Sequence, residues 1–391
     1  MRWPGLSLAA IAAVAVLSIA CGAGARAPAG ASAAPTAGLA PSAPAPAAPA
    51  ALQVPTGGMP PQATAGSASS PAPLSPIRDV KVGVLQNNGE SGLYLALEHG
   101  YFRQEGINVE VVPFADAAGQ IAALSNNELQ FATGAPSAAF FNAAGRDLGM
   151  RLVAAQMEVA PDDRTSGLFI RKELLDSGRF KGPSDLRGLR IGYLGPGQVS
   201  AMFLERIAAQ GGLSLADFDL VQIGIPDTLP ALANDKLDGA WMFEPLLTTA
   251  QDRGLGSLGV PIGHVITAPA NLAVLIASGE IVSREPEVIR RFVTAHLRGQ
   301  REYYRVFMQN EGDKDEVIRV LTKYTLLKQP EMWHRVGVSR VDPNGAIDET
   351  ELALEQEFFL RVGAQAQKVD LDKLVDRSYI NYALQRLGRM P

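Results

Sequence analysis

Residues 195–200 read Gly-Pro-Gly-Gln-Val-Ser, between a short apolar run and a stretch with helical spacing. Glycines let a backbone approach a bound group closely, and the start of a helix presents N–H groups with no partner in the helix. One reading is therefore ligand contact by Gly195, Gly197, Gln198 and Ser200; the other is a tight turn that touches no ligand. A dinucleotide fingerprint would begin in the same way, with Gly195 and Gly197 as its first two glycines and Asp217 about 20 residues on. It fails at the third small position, which Ser200 occupies. Trp241 and Glu244 form a second pair. A tryptophan can stack on a flat ligand, and a carboxylate beside it can accept from an amine or ring N–H. Packing between elements and helix capping would use the same two residues.

Other groups able to do chemistry are sparse. The four histidines, His99, His264, His296 and His334, are scattered and none forms an i,i+4 pair. With one cysteine there is no disulfide framework and no cysteine-based metal site. No Ser-His-Asp signature stands out, so the expectation is no catalytic residue, no metal and no cofactor. Lys+Arg 35 against Asp+Glu 40 gives a net charge of −5, with no basic stripe, and nucleic acid is not expected as a partner.

These residues need elements to hold them. Strand-like runs at residues 80–85, 107–112, 129–133 and 151–156 alternate with helical patterns, and the rhythm restarts at 189–194, 218–223 and 239–241. Strands alternating with helices imply parallel sheets with crossover helices. The runs 167–171 and 272–277 lack a helical companion and read as two crossings between lobes that would flex. From residue 286 to about 307, Val288, Phe292, Ala295, Gly299, Tyr303 and Phe307 fall near one face of a long helix. The expected fold is α/β and two-lobed, each lobe a mainly parallel sheet flanked by helices, with a cleft between them. Lobe 1 is about 78–166 plus 278–391, and lobe 2 about 167–277. Ligands of open parallel sheets bind beyond the carboxyl ends of the strands. That rule selects Gln86, Asn87 and Asn88 after the first strand, Gly134 and Ser137 after the third, and Gln156 at the end of the fourth. In the second lobe it returns to Gly195–Ser200 and to Trp241 and Glu244. Asn87, Asn88 and Ser137 also suit ordinary turns and caps. These loops hold very little Lys or Arg and much Asn, Gln and Ser, which favours a neutral polar heterocycle or a zwitterion.

Ahead of this body, an apolar run over residues 6–20 follows Arg2 and ends Leu17-Ser18-Ile19-Ala20-Cys21. It is shorter than a membrane span and has the charged start, apolar middle and small-residue end of a cleaved export signal. The ending resembles the lipobox of bacterial lipoproteins, with Ser18 where leucine is usual. The resemblance implies a signal over 1–20, acylation of Cys21 and a location outside the cytoplasm; an ordinary secretory signal is the other reading. Residues 21–77 are rich in Pro and Ala with almost no charge, a composition expected to form an unstructured tether.

Several runs together carry a family resemblance. HGYFRQEGINVEVVPFADAAGQIAALSNNELQFATGAPSAAFFNAAGRD, DLRGLRIGYLGPGQVSAMFLERIAAQGGL and LANDKLDGAWMFEPLLTTAQDRG occur in that order. They resemble the substrate-binding proteins of ABC transporters in the sulfonate, taurine, nitrate and thiamine-pyrimidine group, over about residues 79 to 310. The resemblance implies a periplasmic-binding-type fold and a small organic ligand held by hinge closure. It also implies a permease with its ATPase as partner, a monomer, and no enzymatic activity. Two alternatives remain. One is a sensing module that docks on a membrane sensor. The other is a pyrimidine-precursor enzyme of the same fold, whose cysteine-rich motif this chain lacks.

Overall fold

The computed structural model describes residues 71–391. The expectations for the signal over 1–20, for Cys21 and for the tether up to residue 70 lie outside the described residues. Ten strands form two five-stranded sheets. In the first, β1 (Arg78–Val84) is flanked by β2 (Ile107–Pro113) and β3 (Phe131–Gly134), followed by β10 (Ala270–Ala277) and β4 (Arg151–Val159). The second runs β7 (Asp219–Gln222), β6 (Arg190–Tyr193), β8 (Gly239–Phe243), β5 (Ser166–Arg171) and β9 (Gly256–Pro261). β1 pairs parallel with β2 and β3, while β10 pairs antiparallel with both β3 and β4. The second sheet repeats this scheme: β6 is parallel to β7 and β8, and β5 is antiparallel to β8 and β9. Each sheet therefore has four strands in one direction and one against, which is the mainly parallel α/β architecture expected.

The runs expected to flex are those two antiparallel strands. Residues 167–171 lie in β5 and 272–277 in β10, each hydrogen-bonded on both sides and mostly buried. Uninterrupted apolar runs of this length are what a strand buried on both faces looks like, and a helical companion is not required of a strand that enters from the other sheet. The chain passes between sheets just outside them, at residues 160–165 and 266–269. β9 was not anticipated, because its sequence GSLGVP has too little apolar pattern to read as a strand.

The long helix is Pro286–Met308, with proline in its first turn as helix starts prefer. It packs on the helix Ser91–Glu98, where Gly299 meets Gly92 so closely that a Cβ on Gly299 would sit 2.1 Å from the Gly92 carbonyl oxygen. This crossing backs the loop that follows β1. Farther along, the helix Glu349–Arg361 packs on Ala138–Ala144, beside the first sheet, and on Val199–Gln210, beside the second. One apolar cluster consequently runs from Leu152 and Phe141 through Phe359 to Phe203, Ile191 and Trp241, joining both sheets. No helix among the described residues is long and apolar enough to cross a membrane.

Candidate functional site

The loops after β3 and β6 meet face to face. The Ala138 N–H donates to the Gly197 carbonyl at 3.0 Å, and a Cβ built on Gly197 would lie 3.2 Å from that of Ala138. A side chain there would push the two loops apart by a few tenths of an ångström. Gly195 has φ +125°, a conformation open to glycine and rarely to other residues. Gln198 stands at the N-cap of the Val199–Gln210 helix, and its side chain makes no capping bond. Ser200 is 1% exposed and its hydroxyl has no hydrogen-bond partner. Across the seam Ser137 is fully buried, and its Oγ accepts from the Phe140 N–H, capping the helix it precedes. Gly134 ends β3 with φ +142°.

A second pair of loops meets beside the first. Gln86, Asn87 and Asn88, after β1, line a cavity of about 10 Å³ with Pro245, after β8, and with Leu327 and Trp333 from the C-terminal segment. That is room for about one water. Gln86 is held at φ +56°, an uncommon conformation for a non-glycine residue, by the Leu326 N–H bonded to its carbonyl at 2.9 Å. Asn87 caps the following turn through the Gly89 N–H at 2.9 Å. The turn is fixed from below by Glu90, whose carboxylate accepts from the Leu85 and Asn87 N–H groups, the Thr133 hydroxyl and the Tyr94 hydroxyl. Burial pushes the Glu90 carboxyl up, against those four bonds. It anchors the loop and has no capacity left for a ligand.

Gln156 differs from all of these. In the β4–β10 pairing Met157 is opposite Ala273 and Ala155 opposite Val274, so Gln156 is an extra residue at a bulge. Bulges re-aim a side chain out of the regular pleat. Gln156 is 1% exposed, and neither end of its amide finds a partner. Its neighbour Met157 backs onto Gly89 in the loop after β1. A buried primary amide left unbonded is unfavourable by about 1–3 kcal/mol, and native structures rarely retain one without a use.

Trp241 and Glu244 are placed otherwise. The indole of Trp241 is 7% exposed and stacks on Phe203, with ring centroids 5.4 Å apart. Glu244 accepts from the Thr248 N–H at 3.1 Å, the Thr248 hydroxyl at 2.9 Å and the Gly337 N–H at 3.2 Å. It therefore ties the helix Leu246–Asp252 to the C-terminal segment. Burial pushes its carboxyl up, and these bonds oppose the shift.

Sequence reasoning selected nothing beyond residue 277, yet that region supplies part of the seam. Trp333 is 2% exposed, with an indole N–H that has no partner. Glu355, on the helix that bridges both sheets, is fully buried with both carboxylate oxygens unpartnered. Burial next to Glu351 holds its pKa well above the usual carboxylate range, with Arg206 acting the other way. The only signal in the sequence was an acid among Leu352, Phe358 and Phe359 on one helical stripe. No group of His, Cys, Asp or Glu suited to a metal ion occurs among the described residues.

Glu158 sits where β4 leaves the first sheet. Burial, with Asp342 and Asp348 adding repulsion against the attraction of Arg340, pushes its pKa up to about 7. A carboxyl whose folded pKa is raised favours the folded state while protonated, and that contribution fades as pH rises from about 4.5 to 7. Stability should fall across that window, by on the order of 1–3 kcal/mol. Glu90, Glu244 and Glu355 are raised in the same sense, so in Glu158→Gln the fall should shrink by the share of Glu158 without vanishing, which urea titrations of both proteins at pH 5 and pH 8 would measure.

Two sheets of matching strand order, each with one interior antiparallel strand and strand-end loops that close on those of the other, define a periplasmic-binding-protein-like architecture. The chain belongs to the NMT1/THI5 like family, whose pattern matches residues 87–305. Among proteins it is similar to, one described only as a binding protein in Brucella abortus (strain 2308) is 26% identical over 217 residues, 55% of this chain and 63% of that protein. The riboflavin-binding protein RibY of Chloroflexus aurantiacus is 29% identical over 218 residues, 53% of this chain and 56% of RibY. The chain thus matches less than two thirds of the length of either relative. In structure it is similar to the alkanesulfonate-binding protein SsuA of Xanthomonas axonopodis pv. citri bound to MOPS, with TM-score 0.61 and 16% identity over 80% of this chain and all of that one.

Proposed function

We propose that this protein is the substrate-binding component of an ABC importer, which captures a small organic nutrient between its two sheets and delivers it to a permease with its ATPase. The reading rests on one observation above the rest. Where the strand ends of the two sheets face each other, buried polar groups on both sides lack partners: Gln156 and Trp333 on one side and Ser200 on the other. A ligand supplies what those groups lack. Gln86, Asn87, Asn88, Gly134 and Ser137 frame it from the first sheet, and Gly195, Gly197 and Gln198 from the second, while Trp241 and Glu244 brace the elements that carry those loops. Closure around the ligand favours the shut state by the difference in affinity between open and shut forms. Amides, hydroxyls and an indole N–H suit a sulfonate- or taurine-like zwitterion or a pyrimidine-like heterocycle, and the flavin named for RibY belongs in the same screen. Cys21 would carry the lipid that moors the protein outside the cytoplasm, the protein acting as a monomer.

Thermal-shift screening of sulfonates, taurine, pyrimidines and flavins, followed by native mass spectrometry, tests this, since a true ligand raises the melting temperature by mass action. Gln156→Leu separates the roles. An amide with no partner contributes nothing to the fold, so the variant should melt at or above the wild-type temperature while losing about tenfold or more in affinity. Unchanged affinity for an identified ligand would place its site elsewhere.

A further inference from the structure

A sizeable pocket lies away from the seam. It is an open hollow of about 530 Å³ on the outer side of the first sheet, lined by one face of the helix Pro286–Met308 and by the segment after it. Arg298, Arg301 and Arg305 follow one another on successive turns and form one wall. None of the three has a carboxylate within 4 Å among the described residues. Arg298 lies 3.9 Å over the Tyr101 ring and donates to Gln104 at 2.8 Å. Arg301 is 6% exposed and donates only to neutral oxygens, those of Pro343, Leu387, Gly388 and Asn344. Arg305 is exposed and its side chain makes no hydrogen bond. Burial lowers the pKa of both Arg298 and Arg301, with Glu105 and Glu302 acting the other way on Arg298 and Asp342 on Arg301.

Most acids of the pocket are hydrogen-bonded to other groups. Glu302 accepts from His99 and Tyr101, Glu316 is held by Arg319 and His99, and Asp313 caps the next helix. Only Glu311 remains, exposed on the side of the pocket formed by the segment after the helix. The hollow therefore offers several guanidiniums and, apart from them, one free carboxylate. Guanidinium is the side chain best matched to the paired oxygens of a phosphate, and a lone carboxylate is matched to an ammonium.

We propose that this pocket binds a phosphate ester that also carries a primary amine, with the phosphate against Arg298 and Arg305 and the amine against Glu311. Arg301, tied to backbone carbonyls, fixes the shape of the wall and adds to its field. The same chemistry occurs in soluble phosphoethanolamine and in a phosphatidylethanolamine headgroup, and the experiment separates the two sources.

The full chain is titrated by calorimetry with O-phosphoethanolamine and, separately, with inorganic phosphate. The amine-bearing ester should bind about tenfold tighter or better. Arg305→Gln should weaken both ligands by about tenfold, and Glu311→Gln should remove the advantage of the ester over phosphate. Both positions are exposed, so unchanged melting temperatures will show that the variants fold. Cosedimentation with phosphatidylcholine vesicles, with and without phosphatidylethanolamine, decides the source. Retention that depends on phosphatidylethanolamine assigns the headgroup, and binding of the soluble ester alone assigns the free metabolite class. Absence of saturable binding of either phosphate ligand overturns the proposal, and so does binding that Arg305→Gln leaves intact or an ester no tighter than phosphate.

Discussion

Cysteines introduced together at Ala138 and Gly197 will join into a disulfide that seals the loops after β3 and β6 and stops ligand exchange. The two Cβ positions are 3.2 Å apart, a few tenths of an ångström inside the spacing of natural disulfides, so a small relaxation of either loop completes the bond. The cross-link closes a loop of about 60 residues and should stabilise the fold by about 4 kcal/mol through the unfolded state. Stability and function therefore move in opposite directions: the oxidised variant melts later yet neither takes up nor releases ligand, and reductant restores both rates. Thiol titration before and after oxidation follows the bond, with Cys21 as the chain's one native thiol. An oxidised variant that exchanges ligand at the wild-type rate would show that opening between these loops is not the route in.

Trp241→Ala should destabilise the protein by about 3–5 kcal/mol. The indole is buried against Phe203 in the apolar cluster that joins both sheets, and truncation leaves a cavity that rigid strands around β8 cannot fill. That is a large share of the stability of an ordinary domain. Trp241→Phe, which keeps an aromatic face toward Phe203, should recover most of it. Urea unfolding of both variants gives the comparison. If Trp241→Ala melted like the wild type and lost only affinity, the ring would be a ligand contact and not a member of the core.

The layout of strands and helices could be read from periodicity because most elements here keep one face buried. The stretches around Val80, Val109 and Ile191 alternate or run apolar as their burial demands, and the stripe from Val288 to Phe307 shows the long helix almost to the residue. Failures came where burial is two-sided. β5 and β10 are apolar over most of their length, and nothing in such a run says that it enters its sheet against the other strands. The loops at the strand ends were selected by the rule that ligands gather there, and Gly197 by the close approach a glycine backbone allows. The assignments of partners were not. Glu244 and Glu90 resemble free carboxylates in sequence, and only the fold brings Thr248, Gly337, Thr133 and Tyr94 to them. The bulge at Gln156 depends on register with a strand more than a hundred residues away, and the contribution of Trp333 depends on the return of the C-terminal segment.

The apolar cluster shared by the two sheets, through Phe141, Phe359 and Phe203, has a kinetic consequence. Under the proposed function, parting the halves would wet those rings, so the empty molecule would spend most of its time shut. A ligand would then be admitted only during brief excursions. Its apparent affinity is the intrinsic one reduced by the fraction of time spent gaping.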